Sequence, residues 1–284
     1  NLLQLDPGER VEAFIPIKDE HFDKDLYLFM ATRNGLVKKT PLKDFANIRK
    51  VGIIAITLRE DDELIRVILT DGEQEIIMAS RYGQSIRYHE SDVRAMGRTA
   101  MGVKSMDLQD GDYVIDMERL LVDADVLSIS ENGFGKRTHE SEYRSQNRGG
   151  RGIKTMNITE KTGELSALKV VTGEEDLIII NSEGVIIRID TNEISRTGRN
   201  TQGVTLMRVE EDGHIVSVAK AKKEEDEIPD NDEEILSDDN NGSEEDSGIV
   251  LPFADGNTEQ NKDSSLERLL ERAQDPEDED DRDN

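Results

Sequence analysis

The chain has no cysteine, no tryptophan and four scattered histidines (His21, His89, His139, His214). Without cysteine there are no disulfides and no thiolate metal sites, and the histidines are too dispersed to form a cluster. No apolar run approaches the roughly 20 residues that cross a bilayer as a helix, and the first residues lack the basic-then-apolar layout of a signal peptide. The expectation is a soluble, cytoplasmic protein. Positive charge is also scarce: 36 Lys and Arg stand against 63 Asp and Glu, a formal charge of −27. The deficit is concentrated at one end, where residues 223–284 hold 25 acidic and 5 basic side chains, leaving −7 for the first 222 residues. That segment has one aromatic residue, Phe253, and runs such as Asp278-Glu279-Asp280-Asp281. It lacks the apolar area to offset the entropy of ordering, so a disordered acidic tail is expected over 223–284.

What the chain does have is a repeat. Gly35, Gly83, Gly133 and Gly184 each sit in a turn between two strand-like runs, at spacings of 48, 50 and 51 residues. A second glycine, followed by Ile or Val, recurs at Gly52, Gly102, Gly152 and Gly203, 17 residues after the first in copy one and 19 in the others. Periods of this length mean supersecondary units that bury their faces on one another. Each copy reads as four short β-branched strands, in copy one Leu26–Thr32, Leu36–Thr40, Gly52–Leu58 and Leu64–Leu69. Asn34-Gly35 and Asn132-Gly133 mark tight hairpin turns. A polar stretch with at most short helical character separates the second and third strands. No copy carries a long 3.6-period stripe, which argues against a helical solenoid. The reading is an all-β, propeller-like array. It places the end of a truncated blade at 1–17, four blades at about 26–74, 75–123, 124–174 and 175–222, and the tail beyond. The opening Asp6-Pro7-Gly8-Glu9 resembles the end of the later repeats, so the chain is expected to be a piece of a longer protein.

Basic residues recur just after the first hairpin turn (Lys38, Lys39, Arg87, Lys136, Arg137, Arg188). Others recur in the loop around the second glycine (Arg49, Lys50, Arg94, Arg98, Arg148, Arg151, Lys154, Arg196, Arg199). Acids gather before the last strand (Asp61, Asp62, Asp110, Asp112, Glu160, Glu164, Glu211, Asp212). Stacked in one orientation, the copies would present a basic rim that attracts a polyanion whatever the total charge. The loop Gln146-Asn147-Arg148-Gly149-Gly150-Arg151-Gly152 is the most distinctive stretch. Its glycines allow close backbone approach, and its arginines offer forked donors to phosphate. Gly133-Phe134-Gly135-Lys136 is no phosphate loop, because Ser130 stands where the first glycine belongs. His89-Glu90-Ser91-Asp92 and His139-Glu140-Ser141-Glu142 share one repeat offset, and capping explains them better than acid–base chemistry. No convergent nucleophile, acid–base or metal set supports a hydrolase.

Taken in order, FMATRNGLVKKT (29–40), SDVRAMGRTAMGVK (91–104), NGFGKRT (132–138), NRGGRGIKT (147–155) and NEISRTGRNTQGV (192–204) resemble the gyrase A C-terminal domain family. The sister domain of topoisomerase IV shares the fold, and this regular set looks closer to gyrase. The resemblance implies a six-bladed β-pinwheel whose neighbouring blades exchange strands and whose basic rim bends double-stranded DNA. It implies a place in a heterotetramer with the rest of gyrase A and with gyrase B, and ATP-dependent negative supercoiling by that holoenzyme. ATP, Mg and the cleaving tyrosine then lie elsewhere, so the chain itself needs no cofactor or metal, and Tyr27, Tyr82, Tyr88, Tyr113 and Tyr143 receive no catalytic role. The loop at 146–152 resembles a sister copy of the family's diagnostic box, Q-[RK]-R-G-G-[RK]-G, with Asn147 in a basic position; the diagnostic copy is expected upstream. For the tail two readings stand side by side: an intramolecular polyanion that competes with DNA for the rim, or a solubilising extension. The rival reading is a propeller scaffold for protein partners.

Overall fold

The computed structural model describes residues 11–47, 52–210 and 212–223. Among them there is no α-helix, and the strands form four antiparallel sheets. The first contains β1 (Tyr27–Thr32), β2 (Leu36–Pro41) and β3 (Leu64–Thr70). The second contains β4 (Glu75–Ser80) and β5 (Gln84–His89); the short β6 (Val103–Lys104) follows in the chain, then β7 (Val114–Arg119), which returns to the second sheet. The same order gives β8 (Asp125–Ser130), β9 (Phe134–His139), β10 (Ile153–Lys154) and β11 (Leu165–Val171). The last copy supplies β12 (Glu175–Asn181), β13 (Ile186–Asp190), β14 (Val204–Thr205) and β15 (Ile215–Lys222). The expected helical stretches are single 3₁₀ turns at Leu42–Phe45, Glu90–Asp92, Glu140–Glu142 and Thr191–Glu193.

The four strands of a sheet do not come from one copy. The sheet orders are β3-β1-β2-β6, β7-β4-β5-β10 and β11-β8-β9-β14, with three strands in the last, β15-β12-β13. The third strand of the second, third and fourth copies therefore crosses to the previous sheet, pairing Val103 with Val37, Ile153 with Ser85 and Val204 with Gly135. This is the exchange that the family resemblance implied: the first three blades are four-stranded as expected, with the fourth strand of a sheet lent by the following copy. In copy one the segment expected as a strand at 52–58 carries no strand assignment.

The second glycine of each copy is explained by this crossing. Gly102, Gly152 and Gly203 have φ of +104°, +77° and +78°, and a Cβ there would run into the carbonyl oxygens of Val37, Ser85 and Gly135 on the accepting strand. Gly52 has a similar φ of +76°, but among the described residues nothing lies within 4 Å of that position. Gly152→Ala is thus expected to destabilise by about 3 kcal/mol or more, adding a backbone clash to left-handed strain, and Gly52→Ala by about 1 kcal/mol from strain alone. Urea unfolding of the two variants measures the difference.

Apolar contacts lie between sheets. One cluster joins Phe29, Ala31 and Val37 to Ile76, Met78, Ile86 and Tyr88 of the next sheet. A second packs Ile77 and Ala79 against Val126, Leu168 and Val170. The third packs Leu127, Ile129 and Val171 against Leu177, Ile179 and Val218. Because β4 has neighbours on both faces, Ile76 and Ile77 are buried on opposite sides and the strand reads as a continuous apolar run. In β12 the period of two reappears: Leu177 and Ile179 are buried, Ile178 and Ile180 only half-buried.

Candidate nucleic-acid interface

Two of the acids before the last strands, Asp62 and Asp112, are structural, and Glu211 lies outside the described residues. Asp62 Oδ1 accepts the amides of Asn34 and Glu63, both at 2.9 Å, and Asp112 Oδ1 accepts those of Tyr82 (3.0 Å) and Tyr113 (2.9 Å). Each joins its own turn to the hairpin turn of the same sheet. The two histidine motifs are caps, with Nδ1 of His89 and His139 accepting from the Ser91 and Ser141 amides at 3.2 and 3.3 Å. Asp190 does the same for Asn192 at 2.8 Å.

Many expected rim cations are structural too. Lys38 and Lys136, three residues past the hairpin glycine, are completely buried. The Lys136 ammonium donates to the carbonyls of Gly198 (2.6 Å) and Arg199 (2.7 Å), and Lys38 donates to those of Ala55 and Arg98. Burial pulls both ammonium groups down to about 8. They clamp the loop of the next copy, so their assignment to the interface is corrected. Lys39 is buried beside Glu90, donating to its carbonyl at 3.1 Å. Arg87 is held by Glu75 (2.8 Å) and Glu140 (2.7 Å), Arg137 by Asp125 (3.3 Å) and the Ile194 carbonyl (2.9 Å), and Arg188 by Asp176 (2.7 Å). Arg196 shares Asp125, at 2.9 Å. These four also serve the scaffold. Arg49 and Lys50 lie outside the described residues.

The loops themselves divide. Arg98, Arg148 and Arg199 reach back to carbonyls of the preceding copy: Ile54 (3.3 Å), Lys104 (2.9 Å) and Lys154 (2.9 Å). The loop at 146–152 is stitched down through its backbone. Gln146 N–H donates to Arg87 C=O at 2.8 Å, Gly149 N–H to Ser105 C=O at 2.5 Å, and Gly150 C=O accepts Asp107 N–H at 2.9 Å. Arg148 also donates to the Asp92 carbonyl at 2.9 Å. Arg94, Arg151 and Lys154 point outward, as does Arg144 of the same loop. Arg151 is 83 % exposed, with Asp107 at 3.6 Å.

Lys104 belongs with them: it is exposed and occupies the offset of Lys154 in the previous copy. The sequence reading passed over it although the repeat alignment marks it. Its ammonium pairs with Asp107, and that bond, with Arg151 adding to it, holds the Asp107 carboxyl below the usual carboxylate range. A polar cleft lined by His89, Asp92, Arg144, Ser145, Gln146 and Asn147 adjoins these cations. Among the described residues no group of three or more potential metal-ligating side chains occurs, and no helix is long and apolar enough to cross a membrane.

Comparison with known proteins accords with this geometry. The family described as DNA gyrase C-terminal domain, beta-propeller, matches residues 26–71, 74–120, 124–172 and 175–222, one stretch per repeat. The DNA gyrase A protein of Halalkalibacterium halodurans is 53 % identical over 232 residues, 82 % of this chain and 28 % of the relative. That of Clostridium acetobutylicum is 46 % identical over 227 residues, 80 % of this chain and 27 % of the relative. The chain therefore spans just over a quarter of the length of these relatives. Among solved structures, the C-terminal domain of a DNA topoisomerase IV superposes with a TM-score of 0.73 at 28 % identity, covering 78 % of this chain and 69 % of that one. A DNA gyrase A C-terminal domain gives 0.64 at 25 % identity, covering 69 % and 66 %. With all four repeats matched, the chain belongs to the DNA gyrase C-terminal domain family.

Proposed function

We propose that this chain is a non-catalytic module of gyrase A that binds and wraps double-stranded DNA. In that role it supports ATP-dependent negative supercoiling in the cytoplasm by a heterotetramer with gyrase B. The observation that carries the reading is the set of outward cations on loops anchored by other residues: Arg94 and Arg144 at one repeat offset, Lys104 and Lys154 at another, and Arg151 beside them. Contacts of this kind read phosphate and not base edges, so affinity is salt-dependent and nearly independent of sequence. The chain's residues supply the electrostatic grip; ATP hydrolysis, Mg binding and strand cleavage belong to the rest of the holoenzyme, and this segment needs no cofactor.

The test is equilibrium binding to a long duplex across a salt series. A linear fall of log K with log salt, at about 0.9 per phosphate neutralised, is expected. Unchanged affinity between low and high salt, or no binding at low salt, would overturn the reading. Asp107→Asn removes the acid that competes for Lys104 and Arg151, so it is expected to tighten binding several-fold at low salt and to lose that advantage as salt screens it. The superposition on a topoisomerase IV domain favours one second reading, a component of that enzyme. Reconstitution with the remaining polypeptides separates them: introduction of negative supercoils belongs to gyrase.

A further inference from the structure

Arg98, Arg148 and Arg199 occupy one position of the repeat, and each donates from Nη1 to one carbonyl, that of Ile54, Lys104 and Lys154 respectively. Those three acceptors are also one repeat position, two residues after the second glycine of the preceding copy. In two of the three pairs the accepting residue is an outward cation, Lys104 or Lys154; in the first it is Ile54, 64 % exposed. The bond is thus present whether or not the accepting residue carries a charge. A guanidinium kept for phosphate would not need that carbonyl, and one already engaging Nη1 and Nε with carbonyls, as Arg148 does with Lys104 and Asp92, has fewer donors left for phosphate.

We propose that these three arginines are positioning residues: each latches its own loop to the segment just after the second glycine of the preceding copy, which in two of the three pairs carries the phosphate-facing lysine, so that successive cations along the rim are held in fixed register. The inference rests on the DNA-wrapping reading and names which of its basic residues touch phosphate and which only place the others. The loops are not equally braced. Lys38 adds a clamp to the Arg98 carbonyl, and Lys136 clamps the carbonyls of Gly198 and Arg199. In the intervening copy Ile86 stands where the lysine would be, with Gly150 beside it, so the glycine-rich loop depends most on Arg148. Arg148 serves its two carbonyls from two separate nitrogens of a planar fork, Nε and Nη1, whereas an ammonium serves two, as at Lys136, from one nitrogen; that lost spread makes lysine a poor substitute at this latch though an adequate one at a phosphate.

The experiment compares Arg148→Lys, Arg148→Gln and Lys104→Gln in the full chain, by DNA binding across the salt series and by amide exchange of the free protein. The latch predicts that both Arg148 variants weaken binding alike, by about tenfold, with the wild-type salt slope, and that exchange accelerates at Gly149 and Asp107. Lys104→Gln is expected to lower the slope by about 0.9 with exchange unchanged. If Arg148→Lys binds like wild type while Arg148→Gln lowers the slope, Arg148 is a phosphate ligand and the proposal fails. Exchange is read without DNA: a wild type that binds no duplex sinks the wrapping reading alone, and Arg148 variants with wild-type exchange sink the latch.

Discussion

Replacing Lys136 by methionine is expected to destabilise the protein by about 2–5 kcal/mol, against less than about 0.5 kcal/mol for Lys154→Met. Both side chains lie near the same rim and look alike in sequence. Lys136, however, is fully buried with its ammonium on the Gly198 and Arg199 carbonyls, while Lys154 is exposed and touches only Asn157, at 3.4 Å. Methionine keeps the length and apolar stem, so the loss reports the two lost donations, to the Arg199 carbonyl and to the Gly198 carbonyl that Thr201 also serves, and not a cavity. Urea midpoints with unchanged slope provide the measurement.

The same lysine has a pH signature. Its folded value of about 8 lies below its ordinary 10.5, so between these values the unfolded chain holds more protons than the folded one. Stability contributed by this group therefore rises as pH climbs through that window and is flat below it. Lys38 titrates in the same window. The double variant Lys38→Met/Lys136→Met is expected to lose that rise, which comparison of stability at about pH 7.5 and about pH 9.5 reveals.

The second large effect lies where the last strands of three consecutive sheets meet. Arg66 on β3, Asp116 and Glu118 on β7 and Lys169 on β11 form one ionic network: Arg66–Glu118 and Lys169–Asp116 at 2.6 Å, with Arg66–Asp116 and Lys169–Glu118 at 3.6 Å. Burial pushes the Asp116 carboxyl up, opposed by Lys169 and Arg66, and Glu118 beside it adds to the upward pressure. Asp116→Ala strips Lys169 of its closer partner inside the protein, and the cost is expected to be about 3–5 kcal/mol. Adding Lys169→Met should recover a substantial part, because the uncompensated charge goes with it; a double mutant as unstable as the sum of the singles would deny the coupling. The network joins three repeats through opposite charges on neighbouring strands, so amide exchange in β7 and β11 should accelerate together in Asp116→Ala.

Much of this molecule was legible in the chain itself. The spacing of Gly35, Gly83, Gly133 and Gly184, the β-branched runs beside them and the absence of helical periodicity determined an array of four β units and placed three of the four strands expected in the first copy to within a residue, while 52–58 forms no strand. Those signals are local: a turn needs its positive φ, and a strand its alternation, whatever it pairs with. The capping role of His89 and His139 was legible for the same reason, because donor and acceptor lie two residues apart. Only tertiary structure decided where the third strands go, since Val103 presents the same pattern whether it pairs within its copy or with Val37, 66 residues earlier. Tertiary structure also sorted the cations. Lys38 and Lys154 each follow by two or three residues a glycine that precedes a strand, and no local rule tells them apart. One points into the interface between repeats, where carbonyls distant in sequence wait for a donor; the other points out. Whether a charge serves the scaffold or stays free for DNA depends on what the chain brings opposite it, and in a strand-exchanged array that partner comes from another copy.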